Sequence, residues 1–230
     1  MNGADPVAAG LPTEPAVLLL DLGGVLVRLE HERFRAHWAR LGVVPGRLER
    51  FLDGPVNRDW NLGRIPPEEF PRLLRRELPV VGWPAEHLRE AWTSLIGEPL
   101  PEMVALAGDA AAAGLRVGLL SNTDPWHWET AFRRLAFREF DPLGLSFELA
   151  ALKPDAAAFH HWRAAGDAQR ERPEPARTLL VDDRPDNLAT AAALGYQTWL
   201  HPAGLDDAAA LRERLGLADG SPAPFLDLDA

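Results

Sequence analysis

The sequence predicts an α/β protein: a parallel sheet flanked by helices, with a block of helices inserted after the first strand. Three observations predict it. Short apolar runs recur and end on polar residues, at Val17–Leu20 before Asp21, at 115–120 before Ser121-Asn122-Thr123, and at 178–181 before Asp182-Asp183. Helical patterns separate the later runs, and strand–helix–strand repeats build right-handed crossovers and a parallel sheet. Between Asp21 and Ser121 the alternation breaks, and the first two thirds of those hundred positions read as helix only.

The elements follow in order. Val17–Leu20 is continuously apolar, as a strand buried on both faces must be. Asp21 stands at its carboxyl end, where open α/β sheets bind ligands. Gly23 and Gly24 let backbone approach a ligand closely. Phe34, Trp38 and Leu41 share one helical face. So do Phe70, Leu73, Leu74 and Leu78, and so do Leu88, Trp92, Leu95 and Ile96. This spacing marks amphipathic helices. Pro66-Pro67-Glu68-Glu69 suits a helix opening, with acids in the first turn. A crossover usually needs one helix, so residues 29–97 are expected to form a helical insertion. Helix 103–113 closes on Gly114, 155–165 on Gly166 and 186–194 on Gly195, each glycine fitting a helix end. Residues 147–149, ahead of Lys153, are a weaker strand candidate, and Gln197–Leu200 is the last strand. Residues 166–177 form a charged connector. The expected organisation is a core of 16–28 and 98–216, an insertion at 29–97, and tails at 1–15 and 217–230.

Composition narrows the function. Hydrophobic residues make up 47% of the chain, enough for a sizeable core. With 34 acidic and 24 basic residues the formal charge is −10, which argues against a nucleic-acid partner. The absence of cysteine excludes disulfides, thiolate metal sites and cysteine nucleophiles. No apolar stretch reaches the ~18 residues of a membrane span, so no membrane partner is expected. The first fifteen residues lack the form of a signal peptide. A cytoplasmic protein handling a small molecule is the default expectation, in any oligomeric state.

Four polar clusters stand where a crevice would lie: Asp21 with Gly23, Ser121-Asn122, Lys153-Pro154, and Asp182-Asp183 with Asn187. Each has a bland reading. An Asp before Gly-Gly is commonly a turn residue. Ser-Asn-Thr-Asp also makes a helix N-cap. A lone loop lysine is usually solvated. Asp182-Asp183 is harder to dismiss, because adjacent acids repel unless a cation or donors compensate, although Asp183 could cap the helix near Pro185.

Together, in order, the segments Leu20-Asp21-Leu22-Gly23-Gly24-Val25, Leu120-Ser121-Asn122-Thr123, Lys153-Pro154-Asp155 and Val181-Asp182-Asp183-Arg184-Pro185-Asp186-Asn187 resemble the haloacid dehalogenase (HAD) superfamily, in its phosphatase branch. The resemblance covers nearly the whole chain. It implies a Rossmann-like core with the helical insertion as a cap. Only 32 positions separate Ser121 from Lys153, too few for a cap entering there. It further implies Mg²⁺ as cofactor and a small phosphorylated molecule as substrate. Asp21 would attack phosphorus and form an aspartyl phosphate. Asp21, Asp183 and the Gly23 carbonyl would hold Mg²⁺, an ion that prefers oxygen ligands. Asp182 would act behind them or through water, and Asn187 would orient the carboxylates. Ser121, the Asn122 backbone and Gly24 would contact the phosphoryl group, and Lys153 would neutralise its charge. His31, Arg64 and His127 are candidate substrate contacts. The alternatives are a solvated arginine for Arg64 and a helix-face histidine packed beside tryptophans for His127.

One departure stands out. Most phosphatases of the superfamily carry an acid two residues after the nucleophile, and here that residue is Gly23. A glycine donates no proton, and general acid–base help is worth about 10²–10⁴ in rate. The expected reaction is Mg²⁺-dependent hydrolysis of a small phosphomonoester, with a sugar phosphate as one candidate. A subgroup resembling bacterial α-D-glucose-1-phosphate phosphatases also has glycine at this place. The alternatives are a metal-free 2-haloacid dehalogenase and a non-enzymatic phosphate binder.

Overall fold

A computed structural model describes residues 14–166 and 171–217. Over these the chain runs through β1 (Val17–Leu20), β2 (Val27–Leu29), α1 (His31–Arg40), α2 (Pro45–Leu52), α3 (Pro55–Asn61), α4 (Phe70–Glu77), α5 (Ala85–Thr93) and β3 (Ile96–Pro99). It continues through α6 (Pro101–Ala112), β4 (Arg116–Ser121), α7 (Pro125–Phe132), β5 (Leu143–Leu145), α8 (Ser146–Leu149), α9 (Ala156–Ala165), β6 (Thr178–Asp182), α10 (Pro185–Ala193), β7 (Gln197–Leu200) and α11 (Ala209–Arg214). The main sheet is wholly parallel, in the order β5-β4-β1-β6-β7. This is the expected α/β, HAD-like fold.

Side chains alternate across β1 with the period of two that a strand imposes. Leu18 and Leu20 join Met103, Leu106 and Ala110 of α6 on one face. Val17 and Leu19 join Phe159 and Trp162 of α9 and Leu188 of α10 on the other. Both faces are therefore covered, and each fully buried leucine contributes about 1.5–3 kcal/mol. The chain passes from β1 to β4 and β5 on one side and then crosses back to β6 and β7 on the other. Where strand order reverses in this way, a crevice opens beyond the carboxyl ends. Leu20 pairs with Leu119 and with Val181, so Asp21 and Asp182 emerge side by side, with Ser121 one residue further along β4.

The helices α1–α5 have a core of their own. Phe34, Trp38, Phe51, Trp60, Phe70 and Trp92 pack together, with Trp126 of α7 completing the cluster. Trp60 stacks on Phe70 with centroids 4.2 Å apart, and other rings meet edge to face, arrangements that aromatic quadrupoles favour. Arg33 ties α1 to the carbonyls of Ser94 and Ile96 at 2.7 Å and 2.6 Å.

Four expectations need correction. Residues 147–149 are not a strand; they lie in α8, and the strand is β5, paired through Leu143 to Leu119. The Ser146 hydroxyl accepts from the Thr123 N–H at 3.0 Å and ends the ladder there. Pro66–Glu69 is a turn, and α4 opens at Phe70, which places Pro71 in the first turn, where its missing N–H costs nothing. Ile96 is not on a helix. It belongs to β3, which pairs antiparallel with β2 in a small ribbon at the two ends of the helical segment. Gly166 ends α9 in extended backbone, φ −68° and ψ 169°, not in the left-handed conformation typical of a glycine cap. Most of both expected tails, and positions 167–170 of the connector, lie outside the described residues. Among those described, no helix is long and apolar enough to cross a membrane.

Candidate active site

Asp21 follows β1, and its backbone N–H continues the pairing by donating to the Val181 carbonyl at 3.0 Å. That bond holds the Asp21 loop against β6. Its side chain is almost buried, and Oδ1 accepts from the Leu22 N–H at 2.7 Å. Lys153 is equally buried and lies between two carboxylates, with Nζ 3.1 Å from Asp21 Oδ1 and 2.6 Å from Asp182 Oδ2. Burial pulls the lysine toward neutrality, but Asp21 and Asp182 together outweigh it and hold its pKa above the ordinary value.

Asn122 fixes the lysine. Its amide donates to the Lys153 carbonyl at 2.7 Å and accepts from the Lys153 N–H at 2.8 Å. This reciprocal pair fastens the loop after α8 to the end of β4. The oxygen and the nitrogen of the Asn122 side chain are thus both engaged with Lys153.

Asp182 is wholly buried and surrounded by donors. It accepts from Lys153, from the Asn187 amide at 2.9 Å and 3.1 Å, and from the Arg184 N–H at 2.9 Å. Asn187 thus orients Asp182; no hydrogen bond joins its amide to Asp21 or Asp183 among the described residues. The Asn187 Oδ1 is a buried acceptor with no donor among the described residues.

Asp183 is less buried and faces the cleft. Burial first, and the Asp182 charge next, raise its pKa. Burial also pushes the Asp21 carboxyl up to about 6 against the pull of Lys153, and Asp182 adds to the rise. One oxygen each from Asp21, Asp182 and Asp183 lie within 4.8 Å of one another. Gly24 permits this crowding. Its φ is +76°, which glycine alone adopts without strain, and a Cβ there would lie 2.5 Å from Asp183 Oδ2.

Asp21 and Asp183 open into a cleft of about 310 Å³, also lined by Gly23, Ser121, Asn122, Lys153 and Asn187. Three carboxylates and one lysine leave a surplus of negative charge. A divalent cation meets that surplus, and the unpartnered Asn187 oxygen suits a hydrated one.

No family model matches the chain. Solved structures do. A HAD family enzyme from Bacteroides thetaiotaomicron, in a magnesium complex, is 27% identical with a TM-score of 0.76, over 87% of this chain and 100% of that one. The wild-type enzyme in complex with magnesium and inorganic phosphate gives 28% and 0.74, over 86% and 98%. A predicted HAD-like family hydrolase from Porphyromonas gingivalis gives 26% and 0.74, over 88% and 98%. This chain is a HAD superfamily hydrolase.

In this HAD hydrolase one side of the cleft is lined by Leu29, His31, Leu95 and Ile96, at the two ends of the α1–α5 segment. His31 and His127 both line it. His127 is nearly buried and stacks on Trp92, centroids 5.5 Å apart. Its Nδ1 lies 2.6 Å from Asp124 Oδ2 and its Nε2 2.8 Å from the Trp92 carbonyl oxygen. Both nitrogens face acceptors, so both carry protons. Burial opposes that charge, but Asp124 outweighs it and raises the His127 pKa; burial likewise opposes the Asp124 carboxylate, and His127 reverses the effect and lowers its pKa. Asp124 also accepts from the Trp92 indole N–H at 2.9 Å and caps α7 through the N–H groups of Trp126 and His127, at 3.0 Å each. Packing beside tryptophan and contact with the cleft are thus both true of His127.

Arg64 does not reach the cleft. It pairs with Asp59 at 2.8 Å on the exposed surface, its side chain 61% exposed. The turn that carries it is nonetheless tightly seated, since a Cβ on Gly63 would overlap the Phe147 carbonyl. Sequence reading missed Ser146, whose hydroxyl donates toward the carbonyls of Asn61 and Thr123, both at 2.8 Å. No sequence signal marks it, since its partners lie 85 and 23 residues away. Thr123 and Arg184, which also line the cleft, stood inside the recognised segments without a role.

Proposed function

We propose that the protein is a Mg²⁺-dependent phosphatase acting on a small phosphomonoester through an aspartyl phosphate on Asp21. The observation that carries this reading is the buried Lys153, held between Asp21 and Asp182 beside a third carboxylate, Asp183. The magnesium and phosphate complexes of the Bacteroides enzyme support it. Asp21, Asp183 and the Gly23 carbonyl would hold the cation, which would screen the attacking carboxylate from the phosphate dianion.

Asp21 Oδ attacks phosphorus while the bond to the leaving oxygen breaks. Water then attacks the phosphoryl group, the bond to Asp21 breaks and the carboxylate returns. Lys153 neutralises charge on Asp21 and on the transferring group. Ser121 and the Asn122 backbone bind the phosphoryl oxygens; Gly24, expected to join them, has its N–H bonded to the Val27 carbonyl and its own carbonyl bonded to the Gly204 N–H, both at 2.8 Å, and does not line the cleft. Asp182 and Asn187 position Lys153 and the loop of Asp183. Residues 29–97 act as a cap on a core of 16–28 and 98–216, and a sugar phosphate is one substrate of suitable size. The metal-free dehalogenase reading fits poorly with the crowding of Asp21, Asp182 and Asp183.

The test is a panel of phosphate esters, with and without Mg²⁺, alongside 2-haloacids. Phosphate release that requires Mg²⁺ is expected, and it should vanish in Asp21→Asn. Halide release without phosphate release would overturn the proposal, and so would an unimpaired Asp21→Asn.

A further inference from the structure

Delivery of a proton to the leaving group has no owner among the strand-end residues. The usual place for it is filled. A Cβ on Gly23 would lie 3.1 Å and 3.2 Å from the Leu29 methyl carbons, so an apolar side chain occupies the space beside position 23. Two residues beyond Leu29 the chain enters α1, and His31 is its first residue. His31 lines the catalytic cleft and also an adjoining chamber of about 240 Å³, walled by Phe34, Leu48, Leu52, Trp92 and Leu95. It stands where the phosphoryl site meets the space for the alcohol.

The other ionisable residues bordering these two spaces are committed or unsuited. His127 has both nitrogens held, by Asp124 and by the Trp92 carbonyl. Lys153 is clamped between Asp21 and Asp182, and Asp183 belongs to the carboxylate cluster. Glu49 lines only the chamber, away from the phosphoryl site. Arg35 and Arg184 carry guanidinium groups, which do not release protons in proteins. His31 is exposed and makes no hydrogen bond or ion pair with any described residue. Both its nitrogens are available, and an imidazole can donate a proton through one nitrogen and accept one at the other.

We propose that His31 is the catalytic acid and base that replaces the missing carboxyl group at position 23; this rests on the phosphatase reading. As Asp21 bonds to phosphorus, the electron pair of the breaking P–O bond goes to the leaving oxygen. That oxygen takes the proton of the His31 imidazolium and departs as the alcohol. The neutral imidazole then takes a proton from the water that attacks the aspartyl phosphate. Inorganic phosphate leaves, and Asp21 and His31 return to their starting states.

The experiment measures kcat/KM with Mg²⁺ for aryl phosphates graded from p-nitrophenyl to p-methoxyphenyl phosphate, in wild type, His31→Gln and His31→Ala. An acidic phenol departs without help, whereas a basic one needs its proton. Removing a general acid is therefore expected to change kcat/KM, which reports the steps up to alcohol release, by no more than about threefold for p-nitrophenyl phosphate and to lower it by about 10²-fold for p-methoxyphenyl phosphate. Equal losses across the series, no loss, or a loss that tracks a lowered melting temperature would overturn the role of His31. If wild type hydrolyses none of the esters, the phosphatase reading itself falls and takes this role with it.

Discussion

Two buried ionic clusters stand within a few residues of each other along the crevice, and they differ in how their charge is met. Around Asp124 and His127 the account closes: one carboxylate faces one imidazolium, and three further N–H groups serve the same carboxylate. Around Asp21, Asp182 and Asp183 it stays open, because three carboxylates share one lysine. Low-dielectric surroundings make an unmet charge expensive. A closed cluster therefore stabilises, and here it fastens α5 to α7. An open one calls for a partner from outside. The pKa directions carry the same contrast. Asp124 is shifted down by its cationic neighbour, whereas Asp21 and Asp183 are shifted up by burial and by Asp182.

Exchanging the roles of the two clusters breaks the comparison most severely. Asp21→Asn is expected to cut phosphate release on the order of 10³-fold or more. It should leave metal-free stability unchanged or higher, because it relieves carboxylate crowding. Phosphate assays and thermal melts in chelator check both halves. Asp124→Asn should do the reverse to the fold. Breaking one side of a buried pair costs about 3–5 kcal/mol, to be read from urea unfolding, with His127→Gln in the same range.

Mg²⁺ sharpens the contrast with a smaller effect. A ligand present at a hundred times its Kd stabilises by about 2.7 kcal/mol. That gain should appear in wild type and in Asp124→Asn and be lost in Asp183→Asn, as differential scanning fluorimetry would detect. It should also grow as pH rises through about 6, where Asp21 gives up its proton, because a ligating carboxylate must be ionised.

The smallest effect is the pH response of the closed pair. His127 is raised from 6.5, so its contribution is complete below 6.5 and is lost as pH rises through its folded value. Asp124 is lowered from 3.8, so its contribution is complete above 3.8 and is lost as pH falls through its folded value. Each displacement adds an increment of stability confined to its own pH range. Wild type should lose this increment in melts above pH 6.5, and Asp124→Asn should not.

Strand ends were legible because burial on both faces forces continuous apolar runs, and those runs end where the crevice begins. Asp21, Ser121 and Asp182-Asp183 stood out for that reason. β5 was not legible, since three residues with a central glycine carry no pattern. The β2–β3 ribbon was hidden likewise, its two strands 66 residues apart between Leu29 and Ile96 yet paired.

The sequence by itself determined the parallel sheet, the helical insertion and the row of polar residues at the strand ends, because local periodicity and strand termini are properties of neighbours in the chain. Only the tertiary structure decided which charges are answered. It clamped Lys153 between two carboxylates and left Asp183 facing the cleft. It locked both nitrogens of His127, sent Arg64 to the surface, and left His31 unengaged where the two chambers meet. Those outcomes depend on distances of about 3 Å between residues far apart in sequence, and on a burial that makes each unmet charge costly.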